Sequence, residues 1–543
     1  MATNRIRTRP ARAADRDPAR PPFVTDDVSG FLDDAAHYPG GHAPAVAFPR
    51  DEAEVAALVR GAERVLPVGA QSSLTGGATP MGDLVLSSSR MNAVGELADD
   101  RITAQPGVAL TTLREVLDAA GKASPPVPTF EGATVGGVVS TNAAGAATFK
   151  YGTTRDWVRG LTVVLASGEA LDLERGQVRA ADGRFVIETA QGEIVVPAPD
   201  YRLPRVPKHS AGYHAAPDLD LVDLFVGSEG TLGVLTSVTL DVLPRRPAVC
   251  VVLIALDGEE HATALAARLR DTSADTRRRT DPAGLDVAAI EYLDRRSLEL
   301  ARAAGAGRGR GASIPEAADA VLLLQIELPP GATAREVHEQ IGLAASTSAP
   351  AGPVVHLCRL LEAEGLLDRT QLAAPGETTR AAELLALREA VPEAVNRQVA
   401  VARRTVDGTI EKTAADMIVP FPKLPDCLRL FRAAFESRGL DHAVWGHLSD
   451  ANLHPNVIPR SADDVRAGKE AILACGREVI RLGGCPLAEH GVGRNPVKQT
   501  LLRLLHGETG IEKMRAVKRA LDPENKLAPG VLFPTAAGPE APA

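Results

Sequence analysis

The chain has 543 residues, a formal charge of −9, and 45% apolar against 24% charged side chains, a composition that fits neither a disordered nor a membrane class and supports more than one hydrophobic core. Aromatics amount to only 3% and no basic stripe is interleaved with them, so nucleic acid is not an expected partner. The longest apolar runs, such as residues 249–256, fall far short of the roughly 18 residues that span a bilayer, and no transmembrane segment is expected.

Residues 1–21 carry Arg5, Arg7, Arg9, Arg12, Arg16 and Arg20 without the apolar stretch of a secretory signal, and read as a disordered arm. Residues 22–246 are short apolar runs punctuated by glycine, the texture of strands and tight turns. Within them, residues 161–165 and 170–173 flank the turn Ser167-Gly168-Glu169 as a hairpin. Val234, Val238, Leu240 and Val242 share one face of a half-buried strand. Residues 175–205 are a polar elaboration to which the sequence assigns no role. Residues 247–485 change texture to helical patterns such as 381–387 alternating with strand-like runs such as 320–328, a second, α+β domain. Residues 302–312 read as a surface loop. In residues 486–534, Ile511, Met514, Val517 and Leu521 recur at helical spacing until Asp522-Pro523 stops the helix, and 535–543 form a tail. The odd set of five cysteines, none in a CxxC pair, fits reduced thiols in a cytoplasmic setting.

Three glycine-rich clusters fall in the first domain. Pro67, Val68, Gly69, Ala70, Gln71, Ser72, Ser73 and Thr75 lead into Gly76-Gly77 and can turn backbone N–H groups toward phosphate oxygens. The stretch has neither a GK[ST] ending nor a GxGxxG spacing, which removes support for nucleoside triphosphate and Rossmann readings. Gly132, Thr134, Gly136, Gly137, Thr141, Asn142 and Gly145 form the second cluster, with Tyr151 beyond it, and Glu229, Gly230, Gly233 and Val234 the third. In this order and spacing the clusters resemble the FAD-binding domain of the vanillyl-alcohol oxidase/p-cresol methylhydroxylase superfamily. The resemblance implies a two-domain α+β flavoprotein, an FAD-binding domain plus a substrate (cap) domain with an antiparallel sheet. It also implies that residues 68–76 wrap the FAD pyrophosphate, that 132–145 line the isoalloxazine and ribityl chain, and that 229–233 close over the adenosine side. Relatives that bind flavin covalently use a histidine in the first loop; here Gln71, Ser72 and Ser73 stand there, so non-covalent FAD is expected.

The second informative region is Trp445-Gly446-His447-Leu448-Ser449-Asp450-Ala451-Asn452-Leu453-His454. Histidines seven apart on a straight strand face opposite ways and lie about 23 Å apart, so sharing a ligand requires a bend. Ser449, Asp450 and Asn452 are turn formers. Neutral imidazoles suit divalent metals, and Glu489, next to His490, is the candidate third ligand; surface or core histidines are the alternative reading of these residues. The His-x₆-His and Glu-His-Gly pattern is similar to the 2-hydroxy-acid dehydrogenase branch of that superfamily (D-lactate, glycolate and D-2-hydroxyglutarate dehydrogenases). The resemblance implies His447, His454 and Glu489 as ligands of a divalent metal, Zn or Mn, with His490 as catalytic base in the 486–534 segment packing back near the flavin, and Arg388 and Lys412 as substrate anchors. It implies a small 2-hydroxy-acid substrate and an unidentified electron acceptor, and is compatible with a homodimer. Two departures stand out: Ser449-Asp450-Ala451-Asn452 where the branch has Gly-Asp-Gly-Asn, and Ala528-Pro529-Gly530 where it has Asn-Pro-Gly. The rival readings are a non-redox flavin-dependent ether-lipid (alkyl-glycerone-phosphate) synthase and a flavin electron-transfer subunit without its own substrate site.

Overall fold

The computed structural model describes residues 3–13, 22–124, 130–306, 313–346, 348 and 350–534. The 535–543 tail, residues 14–21 of the arm and 307–312 of the expected surface loop lie outside the described residues. The chain divides into two compact units, one of Met1–Gly145, Gly152–Pro244 and Cys485–Ala543, the other of Ala146–Tyr151 and Arg245–Gly484. Both are mixed α/β.

In the first unit, parallel pairing joins Val46–Phe48 to Leu84–Ser87 and Leu84–Ser87 to Val65–Val68. The helix Glu52–Gly61 makes the crossover; Asp51 caps it by accepting from the Glu54 amide. Its Val55, Ala56 and Val59 bury against Val65, Leu86, Val164, Val234 and Leu527, the i, i+1, i+4 stripe of a half-buried helix. A five-stranded antiparallel sheet runs in the order Val94–Ala98, Arg101–Ala104, Val234–Asp241, Val158–Val164, Ala170–Glu174. Its last two strands are the expected hairpin, and Gly168 takes φ +79° at the tip. The alternation read from Val234 onward appears as alternating burial along Val234–Asp241.

The arm is a correction. The strand Arg5–Arg7 runs parallel to Arg184–Thr189, which pairs with Gly192–Pro197. Thus two segments that composition marks as accessory, the arginine arm and the polar elaboration, complete one three-stranded sheet. Arg9 fastens it, donating to both Glu52 and Asp172. Polarity misleads here because the arm's order comes from ion pairs and backbone pairing rather than from burial of apolar area.

The second unit is built on an antiparallel sheet in the order Thr370–Ala373, Ala248–Leu256, Ala320–Leu328, Asp286–Asp294, His442–His447, Asn452–Val457, Thr413–Ala414; Met417–Ile418 also pairs with Asn452–Val457. The apolar run near residue 250 is a central strand, flanked on both sides. The helix Thr378–Thr405 packs Leu384, Leu387, Val391 and Val395 against Leu253, Leu323 and Trp445. Pro392 lies inside it and cannot donate to the Arg388 carbonyl one turn earlier. The five cysteines are buried free thiols, and no helix among the described residues is long and apolar enough to cross a membrane.

Two predictions follow from this architecture. Arg9→Ala should lower the unfolding free energy by about 1–3 kcal/mol, because it leaves a half-buried carboxylate without its partner, whereas Arg7→Ala, whose side chain is 80% exposed, should change it by less than about 0.5 kcal/mol; denaturant midpoints of the two variants check this. The second concerns three imidazoles: His209 and His214 stack with centroids 5.9 Å apart, and the His506 ring meets the Ala211 carbonyl at 3.0 Å. Burial pushes His209 down to about 3 and His214 and His506 down to about 4. Groups held neutral in the fold take up protons on unfolding, so their contribution is intact above the usual histidine range near 6.5 and is lost as pH falls toward 4. The urea midpoint should therefore decline over that window, with a shallower decline in His506→Gln.

Candidate functional site

The three glycine clusters meet in the first unit. A Cβ at Gly69 would come within 2.3 Å of Thr134 Oγ1, so the first and second clusters approach at backbone distance. Thr134 caps the short helix Val135–Thr141 by accepting from the Gly137 amide, and the Glu229 amide donates to the Ser140 carbonyl at 2.7 Å. Gly230, at φ +72°, lies against Pro67. Loops of this kind can present N–H groups in a concave cradle suited to an anionic group.

Not every expected cofactor residue directs its side chain outward. Gln71, at φ +49°, donates to the Phe31 and Ala78 carbonyls and ties the first loop to itself. Ser73 and Thr75 hydroxyls pair at 3.0 Å. Asn142, at φ +48°, accepts from the Arg155 amide. Packing accounts for Gly233, where a Cβ would lie 2.3 Å from Val163 Cγ1, and for Val234, which begins a buried strand. Tyr151 clusters with the second unit, and its hydroxyl donates to Glu327 at 2.6 Å.

Also in the first unit, Glu489 and His490 lie on the loop preceding Pro496–Leu521, two helical stretches that meet at a kink at Gly507. Lys208 Nζ donates to Glu489 Oε2 at 2.9 Å and to the Gly145 carbonyl at 3.3 Å. Lys208 is fully enclosed and Glu489 nearly so, an ion pair whose desolvation is offset only by such additional hydrogen bonds. His490 Nε2 stands 3.5 Å from Glu489 Oε1, its side chain 27% exposed.

In the second unit the bend that the two histidines require is a hairpin. The strand His442–His447 ends in a turn at Leu448–Asp450, Ala451 takes φ +62°, and Asn452–Val457 returns. His447 then opposes Asn452, and Trp445 opposes His454, which makes the two imidazoles diagonal neighbours on one face. Their centroids are 5.3 Å apart, edge to face. Gly446, at φ +154°, permits the strand approach, since a Cβ there would lie 2.3 Å from the Asn452 carbonyl oxygen. The substitutions of Ala for Gly at 451 and for Asn at 528 place alanine at φ +62° and +45°; the backbone keeps the left-handed bend that Gly or Asn adopts at lower cost.

Each imidazole has a carboxylate behind it. His447 Nδ1 meets Glu291 Oε2 at 3.0 Å, and His454 Nδ1 faces Asp416 Oδ1 at 3.5 Å. The hydrogen bond to Glu291 favours a proton on His447 Nδ1 and leaves its Nε2 lone pair outward, which is how imidazoles are oriented toward divalent cations. Burial alone would raise the Glu291 carboxyl, but His447 and Arg388 outweigh it and hold it down at about 2. Arg388 Nε reaches the same carboxylate at 3.5 Å, so the structure brings Arg388 to the histidine pair. Half-buried Lys412 directly precedes Thr413–Ala414, which pairs with the His454 strand. Of the expected set, His447, His454, Arg388 and Lys412 belong to the second unit, and Glu489 and His490 to the first.

Sequence reasoning missed Glu291, Asp416 and Asn456. Asn456 lies two residues past His454, its amide donates to the His454 carbonyl at 3.0 Å, and its side-chain oxygen is buried without a hydrogen-bond partner among the described residues. A polar residue in phase with His454 on an otherwise buried strand was the available signal; Glu291 and Asp416, over 35 residues from their histidines in sequence, offered none.

The chain is similar to the glycolate oxidase subunit GlcD of Bacillus subtilis, 29% identical over 86% of this chain and 83% of that protein. It is also similar to a D-2-hydroxyglutarate dehydrogenase of Xanthomonas citri, 29% identical over 90% and 89%, and to a D-lactate dehydrogenase of Archaeoglobus fulgidus, 28% identical over 89% of each. In fold it matches an alkyldihydroxyacetonephosphate synthase structure with a TM-score of 0.60 at 15% identity, over 96% of this chain and 88% of that one. Residues 43–174 match the FAD binding domain family. Residues 259–532, half of the chain, match the C-terminal domain of FAD-linked oxidases, and the chain belongs to that family of flavin enzymes.

Proposed function

We propose that this enzyme oxidises a small D-2-hydroxy acid, of the D-lactate, glycolate or D-2-hydroxyglutarate class, to the 2-oxo acid. The observation that carries the reading is the pair of buried imidazoles, each backed by a carboxylate, which no electron-transfer module needs; the names of the relatives point to the same substrate class. FAD, when bound, would supply the hydride acceptor, and a divalent cation such as Zn or Mn would supply Lewis acidity. In this reading His447, His454 and Glu489 hold the cation. His490 takes the hydroxyl proton, and the Cα hydrogen leaves with its electron pair as the carbonyl forms. Arg388 and Lys412 orient the carboxylates, for which a guanidinium's two parallel donors are suited. Glu291 and Asp416 hold the imidazole orientation, and Lys208 holds Glu489.

The decisive experiment is anaerobic bleaching of the flavin by a panel of D- and L-2-hydroxy acids, with and without a chelator. One D-acid should bleach the flavin rapidly and the chelator should abolish it; absence of bleaching by every acid would overturn the reading. His490→Ala should keep its flavin and bleach about 10²- to 10⁴-fold more slowly, the usual contribution of a general base. His447→Ala should lower metal content per chain, read by elemental analysis. Acid precipitation should release yellow flavin into the supernatant, and colour retained in the pellet would show a covalent link instead.

A further inference from the structure

We infer that Glu229 is a positioning residue for His490, linking the cofactor cradle to the loop that bears the base. The inference rests on the assignment of His490 above. Glu229 belongs by sequence to the third glycine cluster, but its carboxylate is turned to the other loop. Oε1 accepts from the Val492 amide at 2.9 Å, and Oε2 from the Gly493 amide at 2.8 Å. Both oxygens are thus engaged by consecutive N–H groups that begin two residues after His490.

The backbone around this contact is shaped for it. Glu229 itself takes φ +52°, a conformation disfavoured for a residue with a side chain. Gly491 takes φ +77°, and a Cβ there would lie 2.9 Å from Glu229 Oε1, so the loop approaches the carboxylate at a distance that only glycine permits. On its amide side Glu229 donates to Ser140 of the second cluster, and the neighbouring Gly230 rests on Pro67 of the first. One residue therefore touches the second cluster and the base's loop, and its neighbour touches the first.

Other ties bracket the loop without replacing this one. Glu489 is held from the side of Lys208, and downstream the Arg494 amide donates to the Thr75 carbonyl at 3.0 Å while Gln499 donates to the Gly493 carbonyl. Between them, the Val492 and Gly493 amides are held by the Glu229 carboxylate, while Lys498 Nζ reaches the Gly491 carbonyl at 3.5 Å. Two bonds to adjacent amides restrict both the position and the rotation of that stretch, and small displacements of a catalytic group carry large rate penalties.

The test uses the flavin-loaded enzyme and the variants Glu229→Gln and Glu229→Ala. Glutamine keeps the size but sets an amide donor against one of the two N–H groups, and alanine removes both acceptors. In Glu229→Gln, hydrogen exchange of residues 489–495 should accelerate on the order of tenfold, as expected for one lost hydrogen bond, while loops 68–77 and 132–145 keep their protection and flavin content stays at the wild-type level. With the acid that bleaches the parent enzyme, the limiting bleaching rate should fall about 10- to 100-fold, with the half-saturating concentration changed less than about twofold. Glu229→Ala should exceed it in both respects. Wild-type bleaching in Glu229→Gln, or faster exchange confined to the cofactor loops with loss of flavin, would overturn the inference. A His490→Ala control bleaching at the wild-type rate would instead remove the assignment on which it rests, and the two failures are distinguishable because exchange at 489–495 is read independently of turnover.

Discussion

A buried carboxylate held between an imidazole and a guanidinium is the constraint on which the histidine hairpin depends. Glu291, 5% exposed, is surrounded by His447 and Arg388, and removal of any member would leave charge without a partner in a medium that tolerates it poorly. The strand Asp286–Asp294 that carries Glu291 pairs directly with His442–His447, so sheet register sets the distance from carboxylate to imidazole. A slip of one residue in this pairing would carry the Glu291 side chain to the opposite face from His447. Orientation of the imidazole is thus inherited from the pairing of two strands far apart in sequence.

The first unit solves a related problem in a different way. Its functional groups lie on loops, which lack the regular pairing of a sheet, so position is imposed by side chains that bond to backbone. Gln71 ties the first loop, Asn142 the end of the second cluster, and Lys208 joins Gly145 to Glu489. Glycine is needed where these loops approach one another, and each such position costs chain entropy that the bonds must offset.

The change of texture near residue 246, the hairpin tip at Gly168 and the helix ending at Asp522 were readable because each is written locally, in period, turn residues or a proline. The three clusters and the histidine pattern were readable for the same reason, as short motifs with distinctive spacing. What escaped was everything that depends on register between distant strands. Glu291 and Asp416 reveal themselves only when their strands are aligned with His447 and His454, and no pattern around either residue marks it. The N-terminal arm was misread because arginine-rich polar sequence is ordinarily solvated; its order depends on Glu52, Asp172 and a strand nearly 180 residues away.

Neither unit is a continuous piece of chain, and this bears on synthesis at the ribosome. Val65 receives its backbone partners from Lys526 and Ala528, and Leu527 fills the core beneath the helix Glu52–Gly61. Closing that core joins ends more than 450 residues apart, a large loop whose entropy must be overcome before the contact gives any return. The second unit, continuous from 245 to 484 except for a six-residue insert already made, has its sequence complete while the first still lacks its final segment. The core beneath the helix Glu52–Gly61 therefore closes only once residues 526–528 have been made.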